Sequence, residues 1–219
     1  MINLFCGFDH REAIGYHVFA HSVLAQASAG VSFSPLARMG VPMGSNAFTL
    51  SRFLVPALMQ HKGCAIFADA SDMVMKDDIT KLANRFEPRY ALQVVKHPAY
   101  QTRNPVKYVG TSMECENRDY DRKNWASLML INCEHEAWRG ITPATLNNTS
   151  PLTMLQFKWL DDSEIGELPR EWNVLADEGQ PIEDARLLHW TAGVPAFKHY
   201  RAAPGAIHWH AARAAMERI

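Results

Sequence analysis

The sequence predicts an α/β fold with a mostly parallel central sheet flanked by helices. Apolar runs of strand length alternate with longer stretches of helical periodicity. Two of those runs also end abruptly in ion-binding side chains. The first, Cys64-Ala65-Ile66-Phe67-Ala68, runs into Asp69 and, after Ala70-Ser71, Asp72. The second, Leu187-Leu188, runs into His189 and on to Gly193. A buried carboxylate is costly unless it is paired, hydrogen-bonded or metal-bound. Strand ends of open α/β sheets are where ligands gather, and oxygen clusters suit hard divalent cations. Asp69, Asp72 and His189 are therefore the candidate metal ligands. Carboxylates with one imidazole favour Mn²⁺ slightly over Mg²⁺.

The elements follow in order. Ile2 to Gly7 is an apolar run read as the first strand, and Phe8 to Glu12 is a polar turn. Ala13 to Gln26 has helical spacing, with Ile14, Val18, Phe19 and Leu24 marking the buried face. Val31 to Leu36 is a second strand. After the glycine-rich loop Gly40 to Asn46, Phe48 to Gln60 is expected to be a helix that Pro56 kinks or shortens, with Ser45 or Asn46 as its cap. Asp77 or Asp78 caps a short helix toward Phe86, and Tyr90 to Val95 is a strand. From His97 to Arg122 the pattern fades into a polar loop of a length usually tied to function or motion. Ser127 to Asn132 and Ala185 to Trp190 are strands; Pro143 to Asn148, Leu152 to Trp159 and His208 to Ile219 are helices.

The 219 residues form one expected domain, with no internal repeat. The net charge of -1 leaves no footprint for nucleic acid or an anionic membrane surface. Cys6, Cys64, Cys115 and Cys133 have no C-x-x-C spacing, and Cys6 and Cys64 read as buried apolar residues. No apolar run is long enough to span a membrane, and Met1-Ile2-Asn3-Leu4 does not open a secretory signal, so a reduced cytoplasmic protein is expected.

Six segments in order resemble metal-dependent glycosyltransferases of the GT-A fold, the Rossmann-like fold of nucleotide-diphospho-sugar transferases. The likeness is to the glycogenin and galactosyltransferase group, family 8. They are Ile2–Gly7 with Phe8-Asp9-x-Arg11-Glu12; Ser51-Arg52-Phe53-Leu54-Val55-Pro56; Ala65 to Met73; Asn124-Trp125-Ala126-Ser127-Leu128-Met129-Leu130-Ile131-Asn132; Leu168-Pro169-Arg170-Glu171-Trp172-Asn173; and His189-Trp190-Thr191-Ala192-Gly193 with Lys198. Two features depart from the family: the metal motif is D-x-x-D rather than D-x-D, and His199-Tyr200 replaces the Pro-Trp after the lysine. Either spacing converges on one ion if the chain turns at Ser71.

The resemblance implies a nucleotide-diphosphate sugar donor, with UDP-sugar first, a sugar-type acceptor, and Mn²⁺ or Mg²⁺ as cofactor. It implies that Arg52, Lys198 and Gly193 meet the diphosphate, beside Asp69, and that Phe8, Asp9 and Arg11 hold the base. Asn124, Ser127 and Gln156 are catalytic candidates on the sugar side, and Trp172 and Asn173 candidates for sugar or acceptor binding. Plainer roles compete: Arg52 as the ion-pair partner of Asp69, Asp9 as a helix cap, Trp172 as core, and Lys198 as a surface lysine. Lys107, Arg122 and Lys123 are candidates to help hold an anionic donor or acceptor, with a solvated charged loop as the favoured account. None of Asp161, Asp162, Asp177 and Glu178 stands out as a general base. Rival functions are a nucleotidyltransferase and a non-catalytic nucleotide- or sugar-binding module.

Overall fold

The computed structural model describes residues 1–218; of the helix expected over His208 to Ile219, Ile219 alone lies outside them. In chain order the elements are β1 (Ile2–Gly7), α1 (Ala13–Gln26), β2 (Val31–Leu36), α2 (Val55–Leu58), β3 (Cys64–Ala68), β4 (Met73–Met75) and α3 (Ile79–Ala83). β5 (Leu92–Val94), β6 (Val106–Lys107), β7 (Cys115–Glu116), β8 (Leu128–Asn132), α4 (Pro143–Asn147) and α5 (Pro151–Leu155) follow. β9 (Ile165–Glu167), β10 (Val174–Leu175), β11 (Leu187–His189) and α6 (Ala206–Met216) complete the chain.

Six strands form the central sheet in the order β2-β1-β3-β8-β5-β9. β8 alone runs against the rest: it is antiparallel to both β3 and β5, while the other pairings are parallel. Side chains alternate between faces along each strand. Leu4, Cys6, Ile66, Leu128 and Leu130 therefore pack on one side with Phe19 and Val23 of α1. Phe5, Phe67, Met129 and Ile131 pack on the other with Phe53, Trp138 and Phe157. A smaller sheet, β10-β11-β4, carries a third cluster in which Val74, Leu188 and Trp190 meet Val18 of α1 and Trp209 of α6.

The two sheets meet at the turn between β3 and β4. There Ala70 takes φ +68, the Ser71 N–H donates to the Asp69 carbonyl, and the Met73 N–H donates to the Ala70 carbonyl. Left-handed backbone costs a non-glycine residue about 1–2 kcal/mol. The turn thus pivots at Ala70 rather than Ser71. Helix α1 docks against it through Gly15, where any Cβ would run into the Ser71 carbonyl oxygen.

Three stretches differ from the sequence reading. Phe48 to Gln60 is not one helix. Pro56 has no N–H for the Arg52 carbonyl, which instead accepts from Val55 in a tighter turn before the single turn of α2. Asn46 does not cap α2; its side chain accepts from the Thr49 hydroxyl. The helix expected over Leu152 to Trp159 ends at Leu155, just before Phe157 takes φ +52. The polar stretch from His97 contains the small hairpin β6–β7, held beside the loop by Asn117, which donates to the Asn104 carbonyl at 2.7 Å. Cys6 is buried as expected, whereas Cys64 is half-exposed at the start of β3.

The close approach at Gly15 makes Gly15→Ala a sharp test of this packing. It is expected to destabilise the protein by about 1–3 kcal/mol in chemical denaturation, because backbone must shift. Gly140→Ala, where nothing lies within 4 Å of the added methyl, should stay close to wild type.

Candidate active site

The site is assembled where the two sheets touch. β3 and β8 pair so that Ala68 faces Leu128, and the Asp69 N–H donates to the Ser127 carbonyl at 2.8 Å. β4 and β11 pair so that Met73 faces His189, and the Trp190 N–H donates to the Asp72 carbonyl at 2.9 Å. These backbone bonds bring Asp69, Asp72 and His189 together: one ligand atom from each lies within 4.8 Å of the other two. Two ligands ~2.1 Å from one ion are themselves about 3–4 Å apart, so slight side-chain adjustment brings all three onto a single cation.

The second layer fixes which histidine nitrogen faces the cluster. The Ser127 hydroxyl donates to the Asn124 carbonyl at 2.7 Å and accepts from the Asn173 amide nitrogen at 2.9 Å. The Asn173 amide oxygen must then face His189 Nδ1, 3.0 Å away, and accept its proton. That leaves Nε2 of the neutral imidazole as a lone-pair donor, 3.5 Å from Asp72 Oδ2. Asp72 Oδ1 is buried with no hydrogen-bond partner. A lone-pair nitrogen, an orphaned carboxylate oxygen and a second carboxylate are a donor set that fits a hard divalent cation.

Charge inside the site is tightly coupled. Burial, reinforced by Asp72, pushes the Asp69 carboxyl up to about 6, although Arg52 opposes the shift. Burial disfavours charge on His189, but Asp72 and its neighbouring carboxylates outweigh it and raise its pKa. Arg52 is itself buried. Its Nη1 lies 2.7 Å from Asp69 Oδ1 and donates to the Ala126 carbonyl, while Nε donates to the Thr49 carbonyl. The guanidinium also sits against the faces of Phe48 and Phe67. Arg52 thus lines the cavity while holding Asp69.

The cavity walls include Asn124 and Ser127, and also Asn46, Thr49, Lys107, Tyr108 and Tyr120. Other sequence candidates lie elsewhere. Asp9 is buried, its carboxylate forked onto Arg11 Nε and Nη2 at 2.9 and 2.6 Å and accepting from the Arg11 and Ala47 backbone. Asp9 and Arg11 therefore spend themselves on each other and on the entry to α1, and Phe8 packs edge-on against Tyr16. Trp172 is fully buried core with Arg186 over its ring, not a wall of the cleft. Asn173 is fully buried too and acts through His189. Gly193 is explained by the Tyr200 ring, which a Cβ would strike. Lys198 is exposed and lines a separate cavity with Val109, Gly110, Thr111 and Phe197. Gln156 is buried beside the cavity wall at Leu155, with its Oε1 unpartnered. Asp177 is taken up by the Thr191 and Ala192 N–H groups and by the Thr191 hydroxyl.

Glu12 was the carboxylate that the motif contained but sequence gave no role. It is buried, Oε1 has no partner, and burial together with Asp72, Asp9 and Asp69 raises its pKa far above the ordinary range. Its only sequence signal is its place after Asp9-x-Arg11. Tyr108 and Tyr120 carried none, because their approach depends on the irregular loop.

The chain is 30% identical to Protein CDI of Arabidopsis thaliana over 214 residues, covering 90% of this chain and 80% of that protein. It belongs to the Protein CDI family. No protein-family model matches it. Its fold is that of GT-A glycosyltransferases. The bifunctional glycosyltransferase WbbM superposes with TM-score 0.67 at 13% identity, over 97% of this chain and 49% of WbbM, so the chain spans about half of that protein. The galactosyltransferase LgtC, solved with donor and acceptor sugar analogs, gives 0.63 at 12% identity over 100% of this chain and 97% of its own. GlyE of Streptococcus pneumoniae TIGR4 gives 0.64 at 12%, over 97% and 61%. Among the described residues, no helix of this CDI relative is long and apolar enough to cross a membrane.

Two measurements probe the site directly. Asn173→Ala removes the acceptor that fixes the His189 tautomer and should weaken Mn²⁺ binding by about 10–100-fold in calorimetric titration. In wild type the same titration should weaken progressively as pH falls, first because His189, whose pKa is raised, takes a proton and then because Asp69 does so near about 6.

Asp9 sets an acid limit on stability. Burial alone would raise its carboxyl, but the Arg11 guanidinium and the backbone N–H donors hold it down at about 2. Its stabilising contribution is complete above the ordinary carboxylate range and is lost as pH falls toward 2. Asp9→Asn should therefore cost about 2 kcal/mol near neutrality, and the gap to wild type in thermal melts should close between about pH 4 and 2.

Proposed function

We propose that this protein is a metal-dependent glycosyltransferase that moves a sugar from a nucleotide-diphosphate donor to an acceptor hydroxyl. The observation that carries the reading is the convergence of Asp69, Asp72 and His189 at the meeting of two sheets, with Nε2 turned inward by Asn173. GT-A architecture adds support, as does LgtC, a similar fold solved with donor and acceptor sugar analogs. UDP-sugars are the first donors to test, and Mn²⁺ or Mg²⁺ the first ions.

Asp69, Asp72 and His189 would hold the ion, which when bound neutralises charge building on the leaving diphosphate. The chain's own residues do the remaining work. Arg52 keeps Asp69 aimed into the cavity through their ion pair. The Asn124–Ser127–Asn173 chain holds the imidazole proton on Nδ1. Asn124, which donates to the Tyr100 hydroxyl at 2.6 Å, and Ser127 present polar groups on the wall where a sugar would sit. Asp177 is committed to backbone amides, which argues against it as a general base.

The test is release of nucleoside diphosphate from a panel of UDP-, GDP-, CDP- and ADP-sugars with Mn²⁺. One nucleotide series should turn over slowly to water or faster to sugar acceptors, and Asp72→Asn should reduce the rate by about 10²–10³-fold. Binding of a nucleotide sugar without any turnover across the panel would instead establish a non-catalytic module.

A further inference from the structure

The cavity holds two cations, Arg52 and Lys107, and they are not equivalent. Arg52 is spent on Asp69 and on two backbone carbonyls. Among the described residues, no carboxylate lies within ion-pair distance of the Lys107 ammonium, whereas the nearby Lys123 is paired with Asp119 at 2.9 Å. Lys107 is only half-buried, at the end of β6, and its position is well fixed. Its partner across the hairpin is Cys115. The next residue, Tyr108, donates its N–H to the Ala192 carbonyl at 2.8 Å, and the Val109 N–H donates to the Tyr200 hydroxyl at 2.9 Å. The hairpin is therefore strapped to the segment that follows His189. Lys107 is close enough to Asp69 for its charge to favour the ionised carboxylate.

A charge count shows what is missing. Asp69 and Asp72 are cancelled by Arg52 and Lys107. A divalent ion on the cluster would leave two positive charges in a partly desolvated cavity, and a diphosphate supplies the complement. Resting on the proposed function, we infer that Lys107 is the lysine that binds the donor diphosphate, in place of Lys198. Lys198 stands in the neighbouring cavity, on the far side of the Tyr108–Val109 wall.

The experiment measures binding of UDP, GDP, CDP and ADP in the presence of Mn²⁺, and of Mn²⁺ alone, to wild type, Lys107→Met, Lys107→Arg and Lys198→Met. Lys107→Met should weaken the preferred diphosphate by about tenfold or more. It should bind Mn²⁺ alone at least as well as wild type, because a positive charge beside the ion has gone. A purely structural role would weaken both. Lys107→Arg should recover most of the diphosphate affinity, and Lys198→Met should lose less than Lys107→Met. If wild type binds a diphosphate and Lys107→Met binds it within about twofold, or loses Mn²⁺ as well, the inference fails while the glycosyltransferase reading stands. If wild type binds none of the four, both fail.

Discussion

The Asn173 side chain is the interaction on which the site depends. Its nitrogen donates to Ser127, at the start of the central sheet's reversed strand, and its oxygen faces His189, on the middle strand of the small sheet. One fully buried amide thus ties the two sheets together and also chooses the imidazole tautomer. A buried amide left with an unmet donor or acceptor is costly, so the neighbours that satisfy it are fixed as firmly as the amide itself. Asp72 is placed by the same strand pairing, since its carbonyl accepts from Trp190, the residue after the imidazole.

Around that amide the protein concentrates negative charge that it only partly neutralises. Asp69, Asp72 and Glu12 influence one another, and burial raises both Asp69 and Glu12. Arg52 stabilises Asp69 but leaves Asp72 Oδ1 without a donor. The backbone is strained at the same place, with left-handed Ala70 between the carboxylates and left-handed Asn124 and Tyr108 on the cavity wall. Such conformations persist where surrounding structure over-determines them, and they cluster at functional sites. The neighbouring charge is handled conservatively: Asp9 meets Arg11 in a two-pronged pair and also accepts from the Ala47 N–H, next to the wall residue Asn46.

Local pattern carries the opening of the fold, as far as Leu36, well. β1, α1 and β2 start and stop where the apolar runs and the polar breaks place them, because their hydrogen bonds and buried faces are set by neighbouring residues. The stretch from Phe48 to Gln60 departs because it is buried from Phe48 to Pro56, where periodicity has no exposed face to report, leaving Pro56 to decide. In the site, strand ends made Asp69, Asp72 and His189 visible as chemistry without a partner nearby. Asp9, Trp172 and Gly193 look similar in sequence, but their tertiary partners are Arg11 and Ala47, the surrounding core with Arg186, and the Tyr200 ring. Lys107 was the reverse case, a lysine in a polar loop whose two-residue strand has no detectable period yet brings it to the cavity.

The central claim is that three side chains from two sheets share one divalent ion, with His189 contributing Nε2. Crystals soaked in Mn²⁺ and measured at the manganese absorption edge test it most directly. The account predicts a single strong anomalous peak bonded to the carboxylates of Asp69 and Asp72 and to Nε2 of His189, with Asn173 still on Nδ1. A peak elsewhere, coordination through Nδ1, or no peak in crystals shown to be permeable to the ion would contradict it.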